Sequence, residues 1–327
     1  MILYRKASQL RLRRSAAPAA PFWAATAIAP YAPRRATPVA IDYVALRASG
    51  AEKLEVTVTE NVRDELERAR NVRGPVFIDA AENAEAVFRR GAEAAAWCQE
   101  NDIAALQLVS RPAEGEFVLA AWPPRPESIV AARGSKFGVA VPVVFPVTTD
   151  LALLEALADA AKESGAAFFA AIAIDVEPTA KQAIAQQLEL TGDDDLYAML
   201  FHADIAPIQL ATERHIAALA AERGMGDFVL PPRWEERSNW NAAVLLTLTA
   251  SRMIAMELDL DLAGTIARSA RTIADLDKPL TRIAESASLS IVGGMDETSV
   301  EMLTEWIGGG TASFAEYVNE QWRLRRA

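Results

Sequence analysis

Strand-like runs recur along this chain at a nearly constant interval, and that spacing constrains the fold more than any single motif does. Apolar runs rich in Val, Ile and Phe start near residues 76 (VFID), 105 (before LQLVSR), 137 and 167 (AFFAAIAIDVE), at intervals of 29, 32 and 30 residues. A repeat of about 30 residues is the length of one βα module. Stretches of helical period, 82–100 and 150–164, separate them, and an earlier alternating strand, LEVTVTE at 54–60, leads a charged helix over 61–71. The same interval forecasts further strands near 197 (YAMLF, 197–201) and 227 (DFVL, 227–230), and a last strand-like run, LSIV at 289–292, precedes Gly293-Gly294. Gly224 and Gly226 end a helix over 205–223 just before the 227 run. Asp193-Asp194-Asp195 is an equally good helix N-cap and YAMLF a competent helix, so 197–201 reads equally as strand or helix.

Seven or eight alternating units imply a parallel sheet with helices outside it. The chain has no G-x-G-x-x-G and no G-x-x-x-x-G-K-[ST] turn of the kind that marks many doubly wound sheets. The expected fold is therefore α/β, a TIM-like parallel (βα)-repeat barrel in full or incomplete form. Its expected divisions are a basic arm over 1–41, a barrel body over 42–238 and 286–310, a helical insertion over 239–285, and a C-terminal helix over 311–327. The longest apolar run, 242–256, is shorter than the roughly 20 residues that span a bilayer and reads as a buried helix.

Composition narrows the chemistry. With 51% hydrophobic and 24% charged residues, 16 Gly and 17 Pro, the chain is neither collagen-like nor disordered. Cys98 has no partner for an intrachain disulfide, and two histidines, His202 and His215, are too few for a structural zinc site. No Ser stands in a G-x-S-x-G setting, and Cys98 has no histidine near it in sequence, so serine-triad and thiol catalysis are disfavoured. The formal charge is −11, yet residues 1–41 carry seven cations (Arg5, Lys6, Arg11, Arg13, Arg14, Arg34, Arg35) and no acid. The acidic remainder repels phosphate backbones and argues against general nucleic-acid binding. Pro18, Pro21 and Pro30 interrupt any signal-type apolar stretch, so the arm is expected to pack on its own acidic body or on a partner, another copy or a different protein. A cytoplasmic protein with no membrane span is the matching expectation.

In a barrel, function gathers at the carboxyl ends of the strands. The residues there are Glu60, Asp79, Arg111, Thr148, Thr149, Asp150, Asp175, Glu177, His202, Asp204, Arg233, Gly293 and Gly294. Asp175 and Glu177, two positions apart after a strand, share a face and form the leading candidate pair for general acid–base work, with Asp79 beside them. Converging carboxylates of this kind also suit Mg²⁺. Asp79 and Asp150 equally stand where they would cap the next helix. His202 and Asp204 share a face, as metal ligands would, only if 197–201 is a strand. Gly293-Gly294 before a helix offers backbone amides to a phosphate, although Asp296 competes for them. The loop 231–240, with two prolines, Arg233, Trp234, Arg237 and Trp240, suits either ligand stacking or subunit contact. Arg111, Arg233, Trp234, Gly293 and Gly294 are thus the substrate-binding candidates. Two functions follow: a barrel that performs acid–base or metal-assisted chemistry on a small anionic substrate, or a non-catalytic scaffold subunit of a larger complex.

Overall fold

The computed structural model describes residues 55–57, 76–80, 85–109, 111–121, 125–173 and 178–325. The basic arm and the helix expected over 61–71 lie outside them. The described chain forms two compact units, which divide after Pro232.

The first unit is α/β. Its strands are β1 (Glu55–Thr57), β2 (Val76–Ala80), β3 (Ala105–Val109), β4 (Glu116–Ala120), β5 (Lys136–Val143) and β6 (Phe169–Ala173), joined in that spatial order with every pair parallel. Helix α1 (Glu85–Glu100) precedes β3, the short α2 (Pro126–Val130) follows β4, and α3 (Leu151–Glu163) links β5 to β6. Three helices follow β6: α4 (Pro178–Gln187), α5 (Asp195–His202) and α6 (Ala206–Glu222). The strands forecast at 76, 105, 137 and 167 are thus present and parallel.

One strand was not forecast. β4 lies between the strands at 105 and 136, so those two are not neighbours. Parallel partners usually need a dozen or more connecting residues, commonly a helix, whereas β4 follows β3 with no helix among the described residues 111–115. Gln107 pairs in register with Phe117, so the loop has little distance to recover. Gly115, at φ +83°, makes the turn, and the buried Gln107 side chain fixes it by donating from Nε2 to the Glu114 carbonyl at 2.8 Å.

Both faces of the sheet are buried, as expected of an all-parallel sheet. One alternate set of strand residues, including Ile78, Val109, Phe117, Leu119, Phe137, Val139, Val141, Val143 and Phe169, joins one core with Ala94 and Cys98 of α1, Ile129 of α2 and Leu154, Leu157 and Ala161 of α3. The other set, Leu106, Leu108, Val118, Ala140 and Ala170, is buried on the opposite face. On that second face, the Phe168 ring occupies the space that a side chain at Gly138 would need: a Cβ there would lie 2.1 Å from ring atoms. Phe168 is held beside β5 by the Val139 amide, which donates to its carbonyl at 2.9 Å, and it bridges in parallel to Gly226 on its other side.

Three expected strands are absent. Residues 197–201 belong to α5, which starts after Asp194 and runs through good helix formers, Leu, Ala and Met. The 227–230 run forms no strand: the bridge to the sheet is made by Gly226 just before it, and Pro231-Pro232, which have no amide protons to donate, follow it. LSIV forms a 3₁₀ turn, Leu289–Ile291, because the Ser288 hydroxyl accepts from the Ser290 amide at 3.3 Å. Among the described residues no pairing joins the β1 edge of the sheet to the Gly226 edge.

The second unit is helical: α7 (Asn239–Ala255), α8 (Leu260–Ala274), α9 (Leu280–Ser286), α10 (Glu297–Ile307) and α11 (Ser313–Leu324). Residues 286–310, expected in the barrel body, fall in this unit. The apolar run at 242–256 is the buried α7, capped by Ser238, whose Oγ accepts from the Asn241 amide at 3.1 Å. No helix of the described residues is long and apolar enough to cross a membrane.

Because the Phe168 ring and an added Cβ would compete for one space, Gly138→Ala should destabilise the protein by roughly 1–3 kcal/mol. Urea unfolding should also show that Phe168→Leu offsets part of that loss in the double variant. A neutral Gly138→Ala would contradict the packing.

Candidate functional site

The consecutive, all-parallel order of β1 to β6 places every strand's carboxyl end on one edge, so a site at that edge draws on whatever follows each strand. Asp79 lies at the end of β2, in register with Thr57 on one side and Leu108 on the other. Asp175 and Glu177 follow β6 by two and four residues and lie outside the described residues, as does Glu60.

The polar side chains that are described at this edge hold the main chain. After β5, the fully buried Thr148 hydroxyl donates to the Pro142 carbonyl at 2.6 Å and accepts from the Val144 amide at 2.7 Å. Thr149 Oγ1 donates to the Pro146 carbonyl at 3.2 Å. The Asp150 carboxylate caps α3, accepting from the Ala152 and Leu153 amides at 2.9 and 3.3 Å. After β3, Arg111 turns to α1: its guanidinium donates to Glu85 at 2.7 Å and lies 3.9 Å above the centre of the Phe88 ring. The hydrogen bond and charge of Arg111 hold the Glu85 carboxyl below the ordinary range.

His202 and Asp204 do not form the expected pair of metal ligands. His202 is the last residue of α5, where positions two apart diverge by about 200°. Asp204, beyond the helix end, accepts from the Ala206 amide at 3.1 Å and starts α6. Among the described residues no three His, Cys, Asp or Glu side chains gather as metal ligands would.

The remaining candidates lie in the helical unit. Gly293 and Gly294 follow the 3₁₀ turn rather than a strand, so the premise that placed them at a barrel mouth does not hold. Gly294 has φ +90°, with Thr272 Oγ1 3.2 Å from where a Cβ would stand. The start of α10 is already occupied by Asp296, whose carboxylate accepts from the Ser299 amide at 3.0 Å and from the hydroxyls of Ser269 and Ser299 at 2.8 and 2.5 Å. A phosphate there would displace a built-in carboxylate.

The Trp-bearing loop is built from within. Asn241 Nδ2 donates to the carbonyls of Arg233 and Glu236 at 2.9 and 2.8 Å, gathering the loop onto α7. The Trp234 ring packs 5.9 Å from the buried Trp306, over which the Arg237 guanidinium also stacks at 4.4 Å. Arg237 belongs to the loop that the sequence marks, whereas Asn241 and Trp306 lie outside it. An Asn in the first turn of a helix after a proline-rich loop is the signal that could have flagged Asn241.

Cys98 sits fully inside the core of the first unit, and burial pushes its thiol up to about 12. A thiolate is the reactive form, so Cys98 should resist alkylation in the native protein near neutral pH and react only on unfolding. A raised folded value means that the group's contribution to stability is intact below the ordinary thiol value, about 9, and is lost as pH rises toward about 12. Rapid native labelling would contradict the burial. For Glu85 the sign is opposite: its contribution is present at neutral pH and is lost as pH falls through the lowered value. Both partners are largely exposed, so the effect on stability is small. Arg111→Ala should return Glu85 to ordinary titration in a carboxyl ¹³C NMR experiment.

No protein-family model matches the chain, and no curated protein or solved structure proved similar to it. The functional reading therefore rests on its own residues.

Proposed function

We propose that the chain is a small-molecule-binding α/β protein whose site lies at the carboxyl edge of the parallel sheet. There Asp175 and Glu177, with Asp79, perform acid–base or metal-assisted chemistry on an anionic substrate. The observation that carries this reading is the strand order. Six parallel strands in sequence order, without the reversal of a doubly wound sheet, match the order of a barrel-type winding, whose ligands bind at the carboxyl ends. An anion approaching several carboxylates needs a bridging cation, and Mg²⁺ suits an all-oxygen ligand set. A single cysteine fits a reducing, cytoplasmic setting. The basic arm packs on the acidic body of its own chain, on another copy or on a partner protein.

A second reading, a non-catalytic scaffold subunit, is favoured by the roles of Thr148, Asp150 and Arg111, which all hold structure at the same edge. The two readings part on Asp175→Asn/Glu177→Gln, which keeps shape and removes charge. Calorimetric titration with MgCl₂ and with inorganic phosphate should show binding to the natural protein that weakens roughly ten-fold or more in the double variant, while its circular dichroism is unchanged. Equal binding by both proteins, or none by either, would transfer the lead to the scaffold reading.

A further inference from the structure

The connection from β6 back to the sheet is longer than the packing requires. Helix α6 lies along β6 and β5, and Gly226 just beyond it meets Phe168, so α6 makes the return across the sheet. Near its start, Gln209 Nε2 lies 3.5 Å from the carbonyl of Val143, the last residue of β5, which places the beginning of α6 at the carboxyl edge. Helices α4 and α5 are therefore an addition at that edge.

Helix α5 reads DLYAMLFH, yet Leu200 is its only fully buried side chain. Leu196 stays 44% exposed and Leu188, just after α4, 42%. Tyr197 and Phe201 stack at 4.5 Å and are half-buried. Acids surround this apolar face: Glu189, Asp193 and Asp195 are exposed, Asp194 is tied to the Thr191 amide and hydroxyl at 2.5 and 3.1 Å, and Asp204 starts α6. Across 178–205 these five carboxylates face one cation in sequence, Lys181. An occupant of such a surface has to bring both apolar groups and positive charge.

The chain carries a segment of that composition. Residues 1–14, MILYRKASQLRLRR, hold Arg5, Lys6, Arg11, Arg13 and Arg14 with no acid, interleaved with Ile2, Leu3, Tyr4, Leu10 and Leu12. Guanidinium groups also complement aromatic rings such as the half-buried Tyr197 and Phe201. We infer that the acidic, apolar α4–α5 hairpin is the docking surface for the basic N-terminal segment of the same chain. Charge blocks of this kind commonly serve as interaction tails, and docking here places the segment over the carboxyl edge. The inference does not depend on any ligand at that edge, and its test contains none.

The test compares the full chain with a variant lacking residues 1–14 and adds a synthetic peptide of that sequence. Hydrogen exchange over 188–205 should speed up about ten-fold or more on deletion and slow again with the peptide. Peptide affinity for the shortened protein should fall roughly ten-fold in Glu189→Gln/Asp193→Asn/Asp195→Asn, whose substitutions lie on exposed side chains and keep the hydrogen bonds made by Asp194 and Asp204. It should fall by a similar factor between about 0.05 and about 0.5 M salt, as screening shortens the reach of the charges. Exchange over 188–205 that is unchanged by the deletion, or peptide affinity indifferent to the three substitutions, overturns the proposal. So does protection that disappears on dilution, which would make the occupant a second copy. Binding of anionic vesicles or RNA through residues 1–14, with 188–205 exchanging as in the shortened protein, would assign the segment to another partner.

Discussion

One aromatic ring laid over one missing side chain sets the geometry of the first unit. Phe168 and Gly138 are lateral neighbours on adjacent strands, and the ring fills the room the glycine leaves. An aromatic residue covering a cross-strand glycine is a dense way to pack a sheet face, since it buries a large apolar surface without a cavity. On the other side a Cβ at Gly226 would stand 3.2 Å from that of Phe168 and 3.3 Å from the Leu230 side chain. The position of β6, and with it the edge from which α4, α5 and α6 depart, depends on a residue large enough to fill this space between two that have no side chain.

The carboxyl edge shows how a parallel sheet uses polar residues before any chemistry begins. Each strand that stops leaves amides and carbonyls without ladder partners, and a buried unpartnered group is costly. Thr148 and Asp150 meet that need after β5, as the Gln107 side chain does for the turn after β3. A polar residue beyond a strand is therefore weak evidence of catalysis until its hydrogen bonds are known. The same holds for Asp296, which caps α10 and ties it to α8 through Ser269.

Periodicity made the first unit legible. Strand starts and the extents of α1, α3 and α6 follow from apolar runs and cap residues, because burial on two faces leaves an uninterrupted hydrophobic signature. The same signature misled at 289–292, where four apolar-rich residues between helices form a 3₁₀ turn stapled by Ser288. At 197–201 an Asp run and straight-chain side chains tipped an ambiguous segment to helix. β4 escaped notice because an interval set by helical crossovers has no place for a strand reached by a loop. Of the candidate site, Asp150 as a cap was readable, whereas the pairing of Arg111 with Glu85, 26 positions away in sequence, was not, since nothing local specifies a contact that only the neighbouring helix supplies.

The direct return between β3 and β4 also bears on the order in which the chain can assemble. Gln107 and Phe117 are ten positions apart, whereas the β5–β6 pair joins Val139 to Phe169, thirty apart. The entropy lost on closing a flexible loop grows with the logarithm of its length, so the shorter loop is favoured by about 1 kcal/mol. That difference makes β3 and β4 the earliest parallel pair to become profitable during folding, with the pairs across longer crossovers added outward from it. The chain thus carries a local seed at the centre of its sheet.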